Sequence, residues 1–174
     1  MNQITGDKKI FNFYLIFASL FLIILTPALF TDGMFMDGTI YAVLSRNLAE
    51  GNGTFWHLHF SDTLLSDFKE HPPLAFYLGS LLFKLLGDNI FTERIYSLFT
   101  GVITAVLIAL AVKTFDKNRG KEVSLISLFV WLSFPLVNWT YANNMLENTM
   151  TVFILISTVF VLKSLKNDKN KTVL

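Results

Sequence analysis

The sequence predicts an all-α integral membrane protein with four spanning helices and one large outer loop carrying juxtamembrane helices. Three observations predict it. Of 174 residues, 53% are hydrophobic, 15% aromatic and only 16% charged, too little charge to coat a soluble domain of this length. The apolar residues gather into runs close to the ~20 residues needed to cross a bilayer. The basic residues are distributed unevenly between those runs, as the enrichment of cytoplasmic loops in Lys and Arg requires.

Four runs qualify as spans: 11–30, about 95–115, 123–141 and about 149–165. The first follows Lys8 and Lys9. It is long for the apolar region of a signal peptide, and no small-x-small cleavage site precedes Thr31, so it reads as a retained anchor. A fifth run, "PPLAFYLGSLLFKLLG" over 72–87, has only 16 residues and contains Lys84. Positive charge decides how to read it. With four spans and a cytoplasmic N-terminus, Lys8, Lys9, Lys113, Lys117, Arg119, Lys121, Lys163, Lys166, Lys169 and Lys171 share the cytoplasmic side, ten of the 14 basic residues. A fifth crossing would leave about four there, against the positive-inside bias. The proline-led run is therefore expected to lie on the outer face as an interfacial helix.

An outer segment of about 31–91 follows from this. Its first expected helix is 39–50, "TIYAVLSRNLAE", where Ile40, Tyr41, Val43, Leu44 and Leu48 form an apolar stripe at helical spacing and Gly51 follows as C-cap. The second is the proline-led run, since Pro72 and Pro73 suit a first helical turn. The chain has no cysteine, which excludes disulfides, thiolate metal sites and Cys nucleophiles.

Asp37, Glu70 and Glu147 then fall on one side of the membrane, where Arg94 also enters it. Ionisable groups at such depth are costly and are site candidates by default. Each also has a structural alternative. Asp37 either caps the helix beginning near Thr39 or serves a site. Glu70 either complements a helix N-terminus or does the same. Glu147, Arg94 and Glu93 either meet water and lipid headgroups or line a site. His57 and His59 in "WHLHF" are either metal ligands or interfacial residues. Trp56, Trp131 and Trp139 read most simply as interface anchors.

Three blocks in order, "DGTIYAVLSRNLAEG", "EHPPLAFYLGSLLFKLLGDNIFTERIYS" and "YANNMLENTMTVF", resemble the N-terminal part of GT-C fold membrane glycosyltransferases. The nearest resemblance is to the group that joins lipid A aminoarabinose transferases with protein O-mannosyltransferase-like enzymes, over roughly 36–165. That resemblance implies a bacterial inner-membrane enzyme with a cytoplasmic N-terminus and a periplasmic active-site loop. It implies transfer of a sugar from a polyprenyl-phosphate donor to a hydroxyl of a lipid, protein or glycan acceptor. No nucleic-acid partner is expected. Asp37 matches the family's first acidic residue, a general base or acceptor-orienting group, and Glu70 the acidic residue before the proline pair. Glu147 corresponds to the acid of the second outer loop. Tyr41, His71 and Arg94 are expected to contact substrate, with Arg94 assigned to the donor phosphate on its chemistry. A divalent cation, Mg²⁺ or Mn²⁺, could sit between Asp37 and Glu147, although nothing in the sequence demands a cofactor.

The sequence departs from the family pattern at three points. Gly38 stands where many relatives carry a second acid, and His71 where the aminoarabinose transferases carry lysine. Four spans are also few for the family, so the chain is expected to be one membrane domain, the N-terminal portion of a longer enzyme. The alternatives are a non-catalytic membrane scaffold or subunit that keeps the fold and, further off, a small transporter, against which the charge-free span centres argue.

Overall fold

The computed structural model describes residues 2–116 and 118–171, with side chains from residue 8 to residue 167 apart from 117. Lys117 and the side chains of Lys169 and Lys171, three of the bases expected on the cytoplasmic side, lie outside the described residues. The described chain is helical: α1 (Asn2–Leu25) with a 3₁₀ extension (Thr26–Phe30), α2 (Met36–Glu50), α3 (Leu74–Leu86), α4 (Thr92–Phe115), α5 (Gly120–Ser133), α6 (Pro135–Ala142) and α7 (Leu146–Lys171).

Three helical segments, Lys8–Phe30, Thr92–Phe115 and Leu146–Asn167, are long and apolar enough to cross a membrane. A fourth crossing exists only if α5 and α6 act together, with 70° between them. The expected single helix over 123–141 is thus broken, and Pro135 is the cause. It carries no N–H, and it holds the preceding Phe134 in extended backbone at φ −75° and ψ 120°. Asn138 repairs part of the break by donating its Nδ2–H to the Leu132 carbonyl at 3.2 Å. The basic tail, expected to leave the helix after 165, instead continues α7 to Lys171.

The long helices run up and down, which gives the bundle two unlike ends. At one end the Tyr14 hydroxyl bonds the Lys121 carbonyl and the Ser124 hydroxyl, and Lys113 Nζ lies 5.0 Å over the Tyr14 ring. There Lys166 also donates to the Thr114 carbonyl at 2.6 Å. This is the lysine end. At the other end Ser97 donates to the Tyr141 carbonyl at 2.6 Å, and Asn148 donates to Ser97 Oγ and to the Thr140 carbonyl at 3.3 and 2.9 Å.

Helix α3 has 13 residues, roughly 20 Å at 1.5 Å per residue, against a hydrocarbon core of ~30 Å. Both its flanks stay at the Ser97 end. His71, before it, meets Tyr41 of α2, and Gly87, after it, accepts from Thr92 Oγ1 at the start of α4, 2.9 Å away. The proline-led run therefore does not cross the bundle but lies along α2. Small residues allow the close approach, since a Cβ at Gly79 would come within 2.8 Å of Ser45 Oγ.

Two cores result. Phe17, Phe21, Leu25, Leu128, Leu132 and Tyr141 fill the bundle. Trp131 packs there too, stacked on Phe21 at 6.2 Å and edge-on to Tyr141, so it is a core residue and not the interface anchor expected from sequence. Tyr41, Leu44, Leu58, Phe68 and Phe76 form a second core in the cap made by α2, α3 and the intervening loop. That loop is pinned by bridges joining Leu58 to Gly53 and to Phe68. Asn47 also donates to the His59 and Phe60 carbonyls at 2.8 and 2.9 Å.

Candidate active site

The site is built where the first turns of α2 and α7 meet. Helix α2 begins at Met36, three residues before the expected start, and its N-cap Phe35 offers no side-chain cap. Asp37 therefore sits inside the first turn, where its charge complements the helix dipole. The capping alternative fails, and the carboxylate is free for other work. One turn on, at i+4, Tyr41 lies on the same face. Glu147 occupies the first turn of α7, and Glu70 stands in exposed chain shortly before α3.

Tyr41 reports on all three acids. Its phenol is pushed up to about 12, first by burial and then by the charges of Asp37, Glu147 and Glu70. The carboxylates of α2, α7 and the loop before α3 thus lie near enough to one phenol for their charges to act on it. The Tyr41 hydroxyl and His71 Nε2 share a hydrogen bond of 3.2 Å, and the rings meet edge to face at 5.5 Å. His71 also packs against Phe68, so the cap core fixes the imidazole.

Arg94 does not join this group. It is buried, and its guanidinium is spent on the chain around it. It donates to the Ala28 carbonyl at 2.6 Å, to Thr31 Oγ1 and the Thr31 carbonyl at 3.1 Å each, to the Ala142 carbonyl at 3.2 Å and to the Gly33 carbonyl. The expected phosphate contact gives way to a clamp binding the α1–α2 connection to α4 and α6, because orphaned carbonyls at helix ends compete for the same planar donor.

The two loop histidines also have local partners. His57 Nδ1 lies 3.3 Å from Asp67, which Lys69 holds at 2.6 Å, and His59 Nε2 lies 3.5 Å from Asp62. Among the described residues no three His, Asp or Glu side chains come close enough together to hold a metal ion. A cation between Asp37 and Glu147 would have to complete its coordination from substrate oxygens and water.

A groove of about 890 Å³ opens from this cluster. Tyr41, His71 and Glu147 stand at its polar end, and Leu146, Met150, Phe153, Ile154, Val161 and Leu162 carry it along α7. From Glu147 to Leu162 it follows roughly 22 Å of helix at 1.5 Å per residue.

A model of the family described as dolichyl-phosphate-mannose-protein mannosyltransferase matches residues 70–174, more than half of the chain. The chain belongs to this family. No curated protein and no solved structure matches it. The mannosyltransferase match begins at Glu70 and takes in His71, Arg94 and Glu147, while Asp37 and Tyr41 of α2 lie before it. As a member of a mannosyltransferase family, the chain is of the glycosyltransferase kind and its helices are of membrane-spanning type.

Sequence reasoning missed Asn143 and Asn144, which form the turn delivering Glu147 to the site. Asn143 Oδ1 accepts from the Phe35 N–H at 2.7 Å, and Asn144 adopts a left-handed φ of +51°. The Asn-Asn dipeptide in "YANNMLEN" is a turn signal that could have revealed them.

Proposed function

We propose that the chain forms the donor-binding and catalytic-base part of a glycosyltransferase that moves a sugar from a polyprenyl-phosphate carrier to an acceptor hydroxyl. The groove is the observation that carries this reading. One end carries the Glu147 carboxylate, the His71 imidazole and the Tyr41 phenol, and the rest is an apolar trough on a helix of membrane-spanning type. A lipid-linked sugar phosphate has that same division, a polar head on an isoprenoid tail.

In this reading Asp37 takes the acceptor proton as its oxygen attacks the anomeric carbon, while Glu70 and Glu147 orient sugar and acceptor hydroxyls. His71 stands at the groove mouth with Tyr41. A ring N–H of His71 would donate to the departing phosphate, the role lysine fills in the aminoarabinose transferases. Glu147 or Asp37 would hold a Mg²⁺ or Mn²⁺ ion, if one is used, and it would supply charge neutralisation at the phosphate.

The carboxylate end faces the periplasm in this scheme, with the N-terminus and the lysine end in the cytoplasm of a bacterial inner membrane. The charge bias supports that orientation, as do four crossings with α5 and α6 making one broken span. The acceptor is a lipid, a protein or a glycan.

The test supplies membranes containing the protein with radiolabelled mannosyl polyprenyl phosphate and follows release of mannose from the lipid. Transfer that falls roughly 10²- to 10⁴-fold in Asp37→Asn, the usual worth of a general base, is expected. Labelled donor left intact by the unaltered protein would favour the non-catalytic scaffold instead.

A further inference from the structure

Gly38 lies before the family match and takes no part in the proposed chemistry. We infer that Gly38 and Asn143 are positioning residues, forming a latch that sets the spacing of Asp37 and Glu147. The inference rests on the functional reading above only for what that spacing achieves.

Gly38 is buried, and a Cβ built on it would overlap the Asn143 backbone carbonyl oxygen and lie 3.1 Å from its carbon. Because that obstacle is main chain, no side-chain rotation relieves it. Position 38 thus carries glycine for contact, since its hydrogen faces the carbonyl at a distance no other residue permits. Three further contacts close the same joint. Asn143 Oδ1 accepts from the Phe35 N–H at 2.7 Å, an orphan donor at the start of α2. Asn143 Nδ2 donates to the Trp139 carbonyl at 2.8 Å, and the Phe35 and Trp139 rings meet at 5.1 Å.

Asp37 is the neighbour of Gly38, and Glu147 follows the Asn143–Asn144 turn by one short step. The latch therefore ties two carboxylates on separate helices into one rigid body. It also explains why a paired acid at 37–38 is impossible here: the second side chain would occupy the space of the turn. The second carboxylate comes from α7 instead.

The chain lacks cysteine, so spin labels at Thr39→Cys and Met150→Cys, both exposed, can report the α2–α7 separation in the purified protein by pulsed electron resonance. Gly38→Ala and Asn143→Ala should each shift or broaden that distance, while Asn143→Asp, which keeps the acceptor for the Phe35 N–H but loses the donor to the Trp139 carbonyl, should disturb it less than Asn143→Ala. Gly79→Ala serves as control, being a buried glycine whose Cβ would press only on the Ser45 side chain. It should leave the distance unchanged.

In mannose-release assays Gly38→Ala should lower turnover about 100-fold, the scale of a 1 Å misplacement, with little change in the donor KM. An unchanged distance in both Gly38→Ala and Asn143→Ala overturns the latch, as does equal loss of turnover in Gly38→Ala and Gly79→Ala. Should Gly38→Ala fail to fold, the contrast between Asn143→Ala and Asn143→Asp decides alone. An inactive parent protein would count against the proposed function, while the distance measurement would still judge the latch.

Discussion

The bundle and the cap solve the same problem, holding helices together, with different proportions of polar and apolar contact. Between the bundle helices the fully buried residues include Ser97, Thr104 and Ser124, with Asn148 close behind. The Tyr141 hydroxyl donates to Thr104 Oγ1 at 3.0 Å. The outward surface is apolar instead, with Phe99, Val106, Phe153 and Phe160 all exposed. In the cap, the buried apolar set is Tyr41, Leu44, Leu58, Phe68 and Phe76, with Ser45, Asn47 and Ser80 buried beside it. Lipid tails are as apolar as leucine, so the Phe and Leu that fill the bundle contribute through packing more than through burial, and small groups with hydrogen bonds add to them. The cap meets water and gains from hiding aromatic surface. The site sits on the seam between them, with Asp37 and Tyr41 from the cap and Glu147 from the bundle.

This contrast can be broken in graded steps. The largest effect is expected in the cap. Phe76→Ala removes a ring that is 1% exposed and should destabilise the cap by about 3–5 kcal/mol, seen as rapid proteolysis of the loop over 51–73 while the bundle survives. At the seam, Arg94→Lys keeps the charge but loses the fork to five acceptors. It should cost about 1.5–3 kcal/mol, the worth of one hydrogen bond to a charged group, and should loosen both regions together in thermal unfolding. Within the bundle, Ser97→Ala should cost only about 0.6 kcal/mol, the average for a hydrogen bond between membrane helices. A Ser97 loss equal to that of Phe76 would erase the distinction.

The smallest effect at working pH belongs to Tyr41. With its folded value raised to about 12, the phenol binds its proton more tightly folded than unfolded. Its stabilisation is complete below pH ~10 and is lost as pH rises from ~10 toward ~12. Activity profiles below pH 10 should therefore show no phenol titration, and Tyr41→Phe should leave their shape unaltered.

Much of this was legible from residue order alone. The spans at 11–30, 95–115 and 149–165 follow from run length, and the resting position of α3 follows from its short run and the lysine count. Both prolines and Gly87 mark its limits. Pro135 stood in plain view inside the third run, yet hydropathy averaging conceals a break that leaves both halves apolar. That Asp37, Glu70 and Glu147 all act on one phenol was not legible, although charge placement assigned them to one side. Nor was what joins them. Arg94 reads as a phosphate ligand until its carbonyl partners, dozens of residues away, are known. Gly38 reads as a missing acid until the Asn143 carbonyl is seen in its place. Both depend on contacts with backbone carbonyls, which carry no residue-type signature.

The central claim is that α3 leaves and returns at one face, so that all three carboxylates lie opposite the lysine end. Single cysteines at Ser66, Asp88 and Asn118, before α3, after α3 and in the α4–α5 turn, test it in intact cells with a membrane-impermeant maleimide. The account predicts labelling at 66 and 88 from outside, and at 118 only after the membrane is opened. Labelling of 66 and 88 from opposite sides would make α3 a crossing helix and separate Asp37 from Glu147.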